Sequence, residues 1–378
     1  MTLPNLPRIY ILTPNVVPYD AIANDVTQMR QVLTRHGYAV RVFAEGIHPE
    51  CTAIAEPLAG APAQLWQLPE DILIYHHSMG WPAGEEILFN ARNRTIARYH
   101  NVTPPAFFAR YSRAHQEACT AGIDVARRIA VLPHIMVLGD STFNCDEMIA
   151  LGTPAENCRV LPPLHLTEEL GQEPFDIPTI QRYSGEGVNL LFVGGIKPNK
   201  GHSRAIRTFA AYHHQFNTRS RLIFAGSIDD RLRNYVDELQ QLATRLGVSG
   251  KVIFTGPVTV SEIKSLYVAA DVFLCTSEHE GFCVPLVEAM YFRVPIVAWG
   301  TTAVTGTIGA CGFVIDEWDE WRLACAIAEL VDDPDLATQF GALERRRYLE
   351  GFSPSILERK LCDLIAGLVE TPSTCYHT

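Results

Sequence analysis

At 378 residues, the chain is longer than one hydrophobic core usually supports and has room for two domains. Its 47% hydrophobic and 19% charged residues are those of an ordinary soluble globular protein. A formal net charge of −11, with no cluster of Lys and Arg, excludes a general nucleic-acid binder, since phosphate backbones are held by such clusters.

The first eight residues, Met1 to Arg8, carry neither a basic leader nor a long apolar run, and nothing later approaches the ~18 apolar residues of a membrane span. The expectation is a cytoplasmic protein. Ten cysteines lie scattered without a C-x-x-C pair or Cys/His zinc spacing, so neither structural zinc nor a disulfide framework is expected.

From Arg8 to Leu161, β-branched runs alternate with helical patterns, at 8–13, 22–36, 40–44, 71–76, 95–100, 135–138 and 159–161. Such alternation predicts βα units and a doubly wound α/β domain over residues 1–170. Asp20 and Asn24 are polar candidates at the start of the first helix, and Asp20 fits a helix N-cap equally well. At two strand ends stand Tyr75-His76-His77-Ser78 and Tyr99-His100-Asn101. Arg92, Arg94, Arg98, Arg110 and Arg113 make this region locally basic and suggest a surface for an acidic or lipid-diphosphate acceptor in peripheral contact with a membrane, against a solvated helix face as the plainer reading.

The polar stretch after Leu164, with Pro174, Pro178, Gly185 and Gly187, predicts a linker over 171–187. A second alternating series over 188–353 predicts a second doubly wound domain, and the amphipathic stretch from Pro354 predicts a last helix, within 354–378, packing back on the first domain. In two such sheets, ligands bind outside the carboxyl ends of the strands, which predicts a cleft between the domains.

Two loops of the second series carry the chemistry. Leu190 to Gly201 reads strand, turn, helix start, with Gly194, Gly195, Lys197 and Lys200; the chain has five lysines, and none precedes Lys197. A lysine at the end of a glycine-bearing loop offers a mobile positive charge to phosphate. Ser277 to Met290 (S-E-H-E-G-F-C-V-P-L-V-E-A-M) follows a buried strand and leads into a helix with Pro285 at its first position. The amides of Gly281, Phe282, Cys283 and Val284 then face the positive end of a helix, a natural anion site. Glu280 and Glu288 flank it, and carboxylates beside a phosphate are better suited to accepting hydrogen bonds from sugar hydroxyls.

This segment resembles the E-x7-E motif of retaining GT-B glycosyltransferases of the large family four, and Leu190 to Gly201 is similar to that family's V-G-R-[LI]-x-P-x-K-G. The resemblance implies two Rossmann-like domains and transfer of a hexose from a GDP- or UDP-linked sugar to a glycan or lipid-linked hydroxyl, with retention at the anomeric carbon. It implies that Glu280 contacts the donor sugar, the following amides hold the β-phosphate, Glu288 binds the ribose, and Lys200 neutralises the diphosphate. The turns Gly226-Ser227 and Val258 would lie near the nucleobase, and His100 near the reacting carbon, with Asp20, Asn24, His77 and Ser78 on the acceptor side. Two positions depart from the family: Gly195 stands where it has Arg, for which Lys197 or Arg204 could compensate, and Ala21 to Ala23 replace a Gly-Gly pair. These departures keep a non-catalytic nucleotide-sugar binder in view, beside a sugar-nucleotide 2-epimerase. No metal and no organic cofactor are expected.

Overall fold

The computed structural model describes residues 6–370. They fall into two compact units, the first made of 6–105, 117–165 and 353–370, the second of 106–116 and 166–352.

In the first unit, strands β1 (Ile9–Val16), β2 (Val40–Ile47), β3 (Glu56–Pro57), β4 (Ile72–His77), β5 (Arg94–Tyr99), β6 (Ile135–Gly139) and β7 (Cys158–Val160) form one parallel sheet in the order β3-β2-β1-β4-β5-β6-β7. Its central strands are apolar on both faces because helices cover both. Helix α1 (Ala21–Arg35) buries Val26, Met29, Val32 and Leu33 on one side; α2 (Pro82–Asn90) and α3 (Arg113–Ala130) bury Leu88, Val125 and Ile129 on the other, and α4 (Thr142–Ala150) follows β6.

The second unit continues from residue 166 with two helices: α5 (Thr167–Gln172), which straddles the expected end of the first domain, and α6 (Ile177–Tyr183), within the stretch expected to be a linker. Asp176 caps α6, and the Lys264 ammonium donates to the carbonyls of Gly171 and Glu173 at 2.9 and 2.5 Å. Both helices are too short to show a period, and the turn-forming residues mark their ends rather than a break in the fold.

After them come β8 (Val188–Val193), α7 (His202–Gln215), β9 (Ser220–Ala225), α8 (Arg233–Arg245), β10 (Val252–Phe254), α9 (Val260–Ala269), β11 (Val272–Cys275), α10 (Val284–Phe292), β12 (Ile296–Trp299), α11 (Thr302–Ile308), β13 (Phe313–Ile315), α12 (Glu320–Asp332) and α13 (Pro334–Gly351). The parallel sheet runs β10-β9-β8-β11-β12-β13. Strand order reverses between β8 and β11, and such a switch point opens a crevice at the strand carboxyl ends. The loops leaving those two strands are therefore neighbours, although about 80 residues separate them in sequence.

Helix α14 (Pro354–Glu370) then belongs to the first unit, where Leu357, Leu361, Ile365 and Leu368 are 0–2% exposed. Each fully buried side chain of this kind is worth about 1.5–3 kcal/mol. Among the described residues no helix is long and apolar enough to cross a membrane.

Candidate functional site

The two loops at the β8/β11 switch point are fastened along their length. Asn199 accepts the amides of Glu278 and His279 on its carbonyl (2.8 and 3.1 Å) and returns its side-chain NH2 to the His279 carbonyl. Thr276 Oγ1 donates to the Gly201 carbonyl at 2.9 Å. Gly201 has φ +69°, and a Cβ there would lie 2.0 Å from the Thr276 carbonyl oxygen, so only glycine allows this approach.

At the junction, Lys200 Nζ stands 2.7 Å from both oxygens of Glu280. Ser277 Oγ also donates to Glu280 at 2.7 Å, while the Glu280 amide donates to Thr302 Oγ1. Glu280 is buried at 7% exposure. Burial pulls the Lys200 pKa down, but the Glu280 carboxylate outweighs it and holds the ammonium above its ordinary value. Sequence reasoning found Lys200 and Glu280 and missed their supports, Asn199, Ser277 and Thr302; Ser277, three residues before Glu280, was the one local signal.

Helix α10 starts at Val284 with Pro285 in its first turn. Among the described residues, no acceptor takes the amides of Gly281, Phe282 or Cys283. These donors and the helix dipole favour an anion. Phe282 is core by its side chain, edge-on to Phe352, and its carbonyl accepts from Thr307. Cys283 holds the N-cap at φ +76°, a conformation that costs a side-chain-bearing residue about 1–3 kcal/mol and tends to persist where a loop is shaped for a ligand.

Glu288, one helical turn further on, is half-buried and accepts from Tyr267 Oη at 2.7 Å. Burial raises its pKa, partly opposed by that hydrogen bond. Gly226 passes so close to the first loop that a Cβ would meet the Gly194 carbonyl oxygen at 2.2 Å, and the Ser227 carbonyl accepts from the Ile196 amide. Val258 is half-buried against the core that carries α10.

Lys197 Cε lies 3.8 Å from where a Cβ on Gly195 would stand. Its stem is thus a near neighbour of the position a side chain at 195 would start from. Arg204 is committed elsewhere, paired with Glu278 at 3.2 Å and stacked over Trp299 and Trp318.

The first unit gathers a different set of residues. His100 Nδ1 lies 3.0 Å from Asp140 Oδ2, and His100 Nε2 lies 2.8 Å from His76 Nδ1. Arg98, fully buried, donates to Asp25 at 2.9 Å and to the Leu161 carbonyl at 2.7 Å, and forms an ion pair with Asp140 at 2.9 Å. Both His100 nitrogens are thereby engaged inside the unit, and its side chain is 4% exposed.

Asp25, His76 and His100 bring three ligand atoms together, yet they read as a hydrogen-bonded network. Two nitrogens on one tetrahedral ion at ~2.0–2.1 Å would stand about 3.3 Å apart. Here they stand 2.8 Å apart, and the Arg98 guanidinium already holds the Asp25 oxygen.

Other first-half expectations change. His77, expected on the acceptor side, is fully buried and bonds the Gly122 carbonyl at 2.9 Å; burial lowers its pKa to about 4, so it is a neutral core residue. Asp20 is the N-cap of α1, accepting from the amides of Ile22 and Ala23. Asn24 in the first turn of α1 and Ser78 after β4 are half-buried at strand carboxyl ends. The arginines expected to form a basic surface are divided. Arg98 is interior, Arg94 caps α14 through the carbonyls of Leu368 and Val369, and Arg110 and Arg113 belong to the second unit.

Two parallel-sheet units of this kind make the GT-B fold. Over 95% of this chain and 99% of the other, it superposes on Anabaena HepE in complex with UDP-glucose, with TM-score 0.70 and 20% identity. Sucrose-phosphate synthase from Thermosynechococcus elongatus gives TM-score 0.74 at 15% identity, over 96% of this chain and 99% of that one. Residues 179–347, the stretch that holds both fastened loops, match the family model described as Glycosyl transferases group 1.

Curated relatives are enzymes of that type. A D-inositol 3-phosphate glycosyltransferase of Acidothermus cellulolyticus is 30% identical over 48% of this chain and 42% of its own. A GDP-mannose-dependent alpha-(1-6)-phosphatidylinositol monomannoside mannosyltransferase of Mycobacterium tuberculosis is 27% identical over 57% of each. The matched region thus spans about half the length of these relatives.

Proposed function

We propose that the chain is a retaining glycosyltransferase that moves a hexose from a GDP- or UDP-linked sugar to a hydroxyl of a glycan or lipid-linked acceptor. The observation that carries this reading is the Lys200–Glu280 pair, set beside the unpaired amides of 281–283 inside the stretch that matches the group 1 family model. One cation, one carboxylate and a helix start are brought together where the two loops meet, which suits a diphosphate joined to a sugar.

In this reading the diphosphate lies on the amides of 281–283 and draws the Lys200 ammonium towards it. The Glu280 carboxylate is then released to accept hydrogen bonds from the sugar hydroxyls, and Glu288 takes the ribose. Lys200, Lys197 and the amides stabilise charge on the departing diphosphate, so the reaction needs no metal. The bond from the anomeric carbon to phosphate breaks, and that from the same carbon to the acceptor oxygen forms on the same face. The acceptor's proton goes to the leaving phosphate. The closeness of the Lys197 stem to Gly195 supports it as the replacement for the arginine expected there.

Incubation with GDP-mannose, UDP-glucose and a panel of glycan and lipid-linked acceptors, with the anomeric configuration read by NMR, tests this. Release of nucleoside diphosphate with a retained linkage is expected. Binding without turnover, or a 2-epimer of the donor sugar as sole product, would overturn it.

A further inference from the structure

Residues 106–116 come from the first half of the sequence but belong to the second unit. The segment is anchored on α8: Arg110 and Tyr111 both bond Glu238, at 3.1 and 2.9 Å, and the Tyr111 ring packs edge-on against Tyr235 at 5.1 Å. Phe107 then lies 6.4 Å, edge-on, from His279, the neighbour of Glu280.

His115 ends the segment. Its ring stacks on Phe108 at 5.0 Å, Nδ1 is 2.9 Å from Ser112 Oγ, and Nε2 is 3.3 Å from Asp229 Oδ2. Asp229 follows directly on Ser227-Ile228, and that pair is fastened to the first phosphate loop. The Ile196 amide donates to the Ser227 carbonyl at 2.9 Å, and Ile228 bridges Ile196. An imidazole is therefore tied to the Gly194–Lys200 loop through Asp229 and the Ser227-Ile228 pair that supports that loop.

We propose that His115 is a donor-site positioning residue: when the diphosphate of a nucleotide sugar occupies the Gly194–Lys200 loop, His115 becomes an imidazolium and adds a positive charge beside Lys197. The proposal rests on the reading of that loop as the diphosphate site. It also gives the loop a second replacement for the charge missing at Gly195.

The groups facing the imidazole set its titration. Burial, then Arg231, lower its pKa below the ordinary histidine value, Lys197 adds to this, and Asp229 opposes them. Asp229 is shared: Arg231 bonds it at 2.6 and 2.9 Å and holds it down at about 2, so it stays ionised at every working pH. Without a ligand, His115 is neutral near pH 7. A bound diphosphate offsets Lys197 and Arg231, and the imidazole takes up a proton from solvent. Because the bound state has the higher pKa, donor affinity rises as the pH falls and is lost as the pH rises through the bound-state value, by about tenfold for each unit the ligand shifts it.

The test uses the full chain and either UDP-glucose or GDP-mannose, whichever binds; their diphosphate diesters do not titrate in this range. Calorimetry in buffers of different ionisation enthalpy at pH 6–7 should show proton uptake on binding by the wild type and none by His115→Gln. Donor affinity should rise several-fold from pH 7.5 to 5.5 in the wild type and much less in the variant. Asp229→Asn, which removes the anion already favouring the imidazolium, should move the uptake to lower pH. Equal proton uptake and equal pH slopes in wild type and His115→Gln, with donor bound by both, would overturn the role of His115 and leave the diphosphate reading standing. Failure of the wild type to bind either donor would overturn both.

Discussion

The strand carboxyl ends of the two units both gather charged and polar groups, and they dispose of them in opposite ways. In the first unit, Asp25, His76, Arg98, His100 and Asp140 bond one another and are all nearly inaccessible. In the second, Lys200 and Glu280 are paired at the mouth of a loop whose next three amides have no described acceptor. A buried network of mutually bonded groups rigidifies a scaffold, whereas a loop with surplus amide donors favours an anion. Charge density alone therefore does not mark a site.

The comparison can be broken most easily in the first unit. Arg98→Met keeps the volume but leaves Asp25 and Asp140 without their cation, and removing one partner of a buried pair costs about 3–5 kcal/mol. Denaturant unfolding should show a loss of that size. A loss under about 1 kcal/mol would mean that the network is not what holds the scaffold.

Glu147 sharpens the same point with pH. It accepts from the Asn101 side chain, beside the strained φ of +72° there, and burial raises its pKa from 4.5 to about 7. An acid whose folded pKa is raised favours folding when protonated, so its contribution is present at low pH and is lost as the pH rises from the unfolded value of 4.5 through 7. Glu147→Gln, which mimics the protonated form, should be no more stable than the wild type at pH 4.5. It should gain on the wild type up to pH 8, by about 2 kcal/mol after discounting for partial exposure. A pH-independent difference in Tm would remove Glu147 from this account.

The smallest effect belongs to the second unit. Cys283→Gly relieves the φ of +76° at the α10 N-cap and should raise stability by up to about 1 kcal/mol. A decrease instead would show that packing of the thiol outweighs the backbone strain.

Much of this was legible in the sequence where the information is local. Strands such as Ile72–His77 and Ile296–Trp299 announce themselves as apolar runs, and the strand-loop-helix around Glu280 is a contiguous pattern with Pro285 and Gly281 in place. What stayed hidden is decided by pairing across long separations. A buried arginine reads the same as a surface one until Asp25 and Asp140 are brought to it, so Arg98 joined an apparent basic surface that the fold takes apart. His77 looked available at its strand end, but the Gly122 carbonyl lies against its ring. Helices α5 and α6 were too short to carry a period, and nothing local in 106–116 says that it will pack on α8.

The most direct test of the central claim is a paired titration of nucleoside diphosphate and nucleotide sugar into the wild type and Glu280→Gln. The account predicts that the variant binds the diphosphate at least as tightly, because Glu280 no longer competes for Lys200. It should lose the added affinity due to the sugar, and transfer should fall about 100-fold or more, as when a positioning contact is removed. Unchanged binding of both ligands together with unchanged transfer would contradict it.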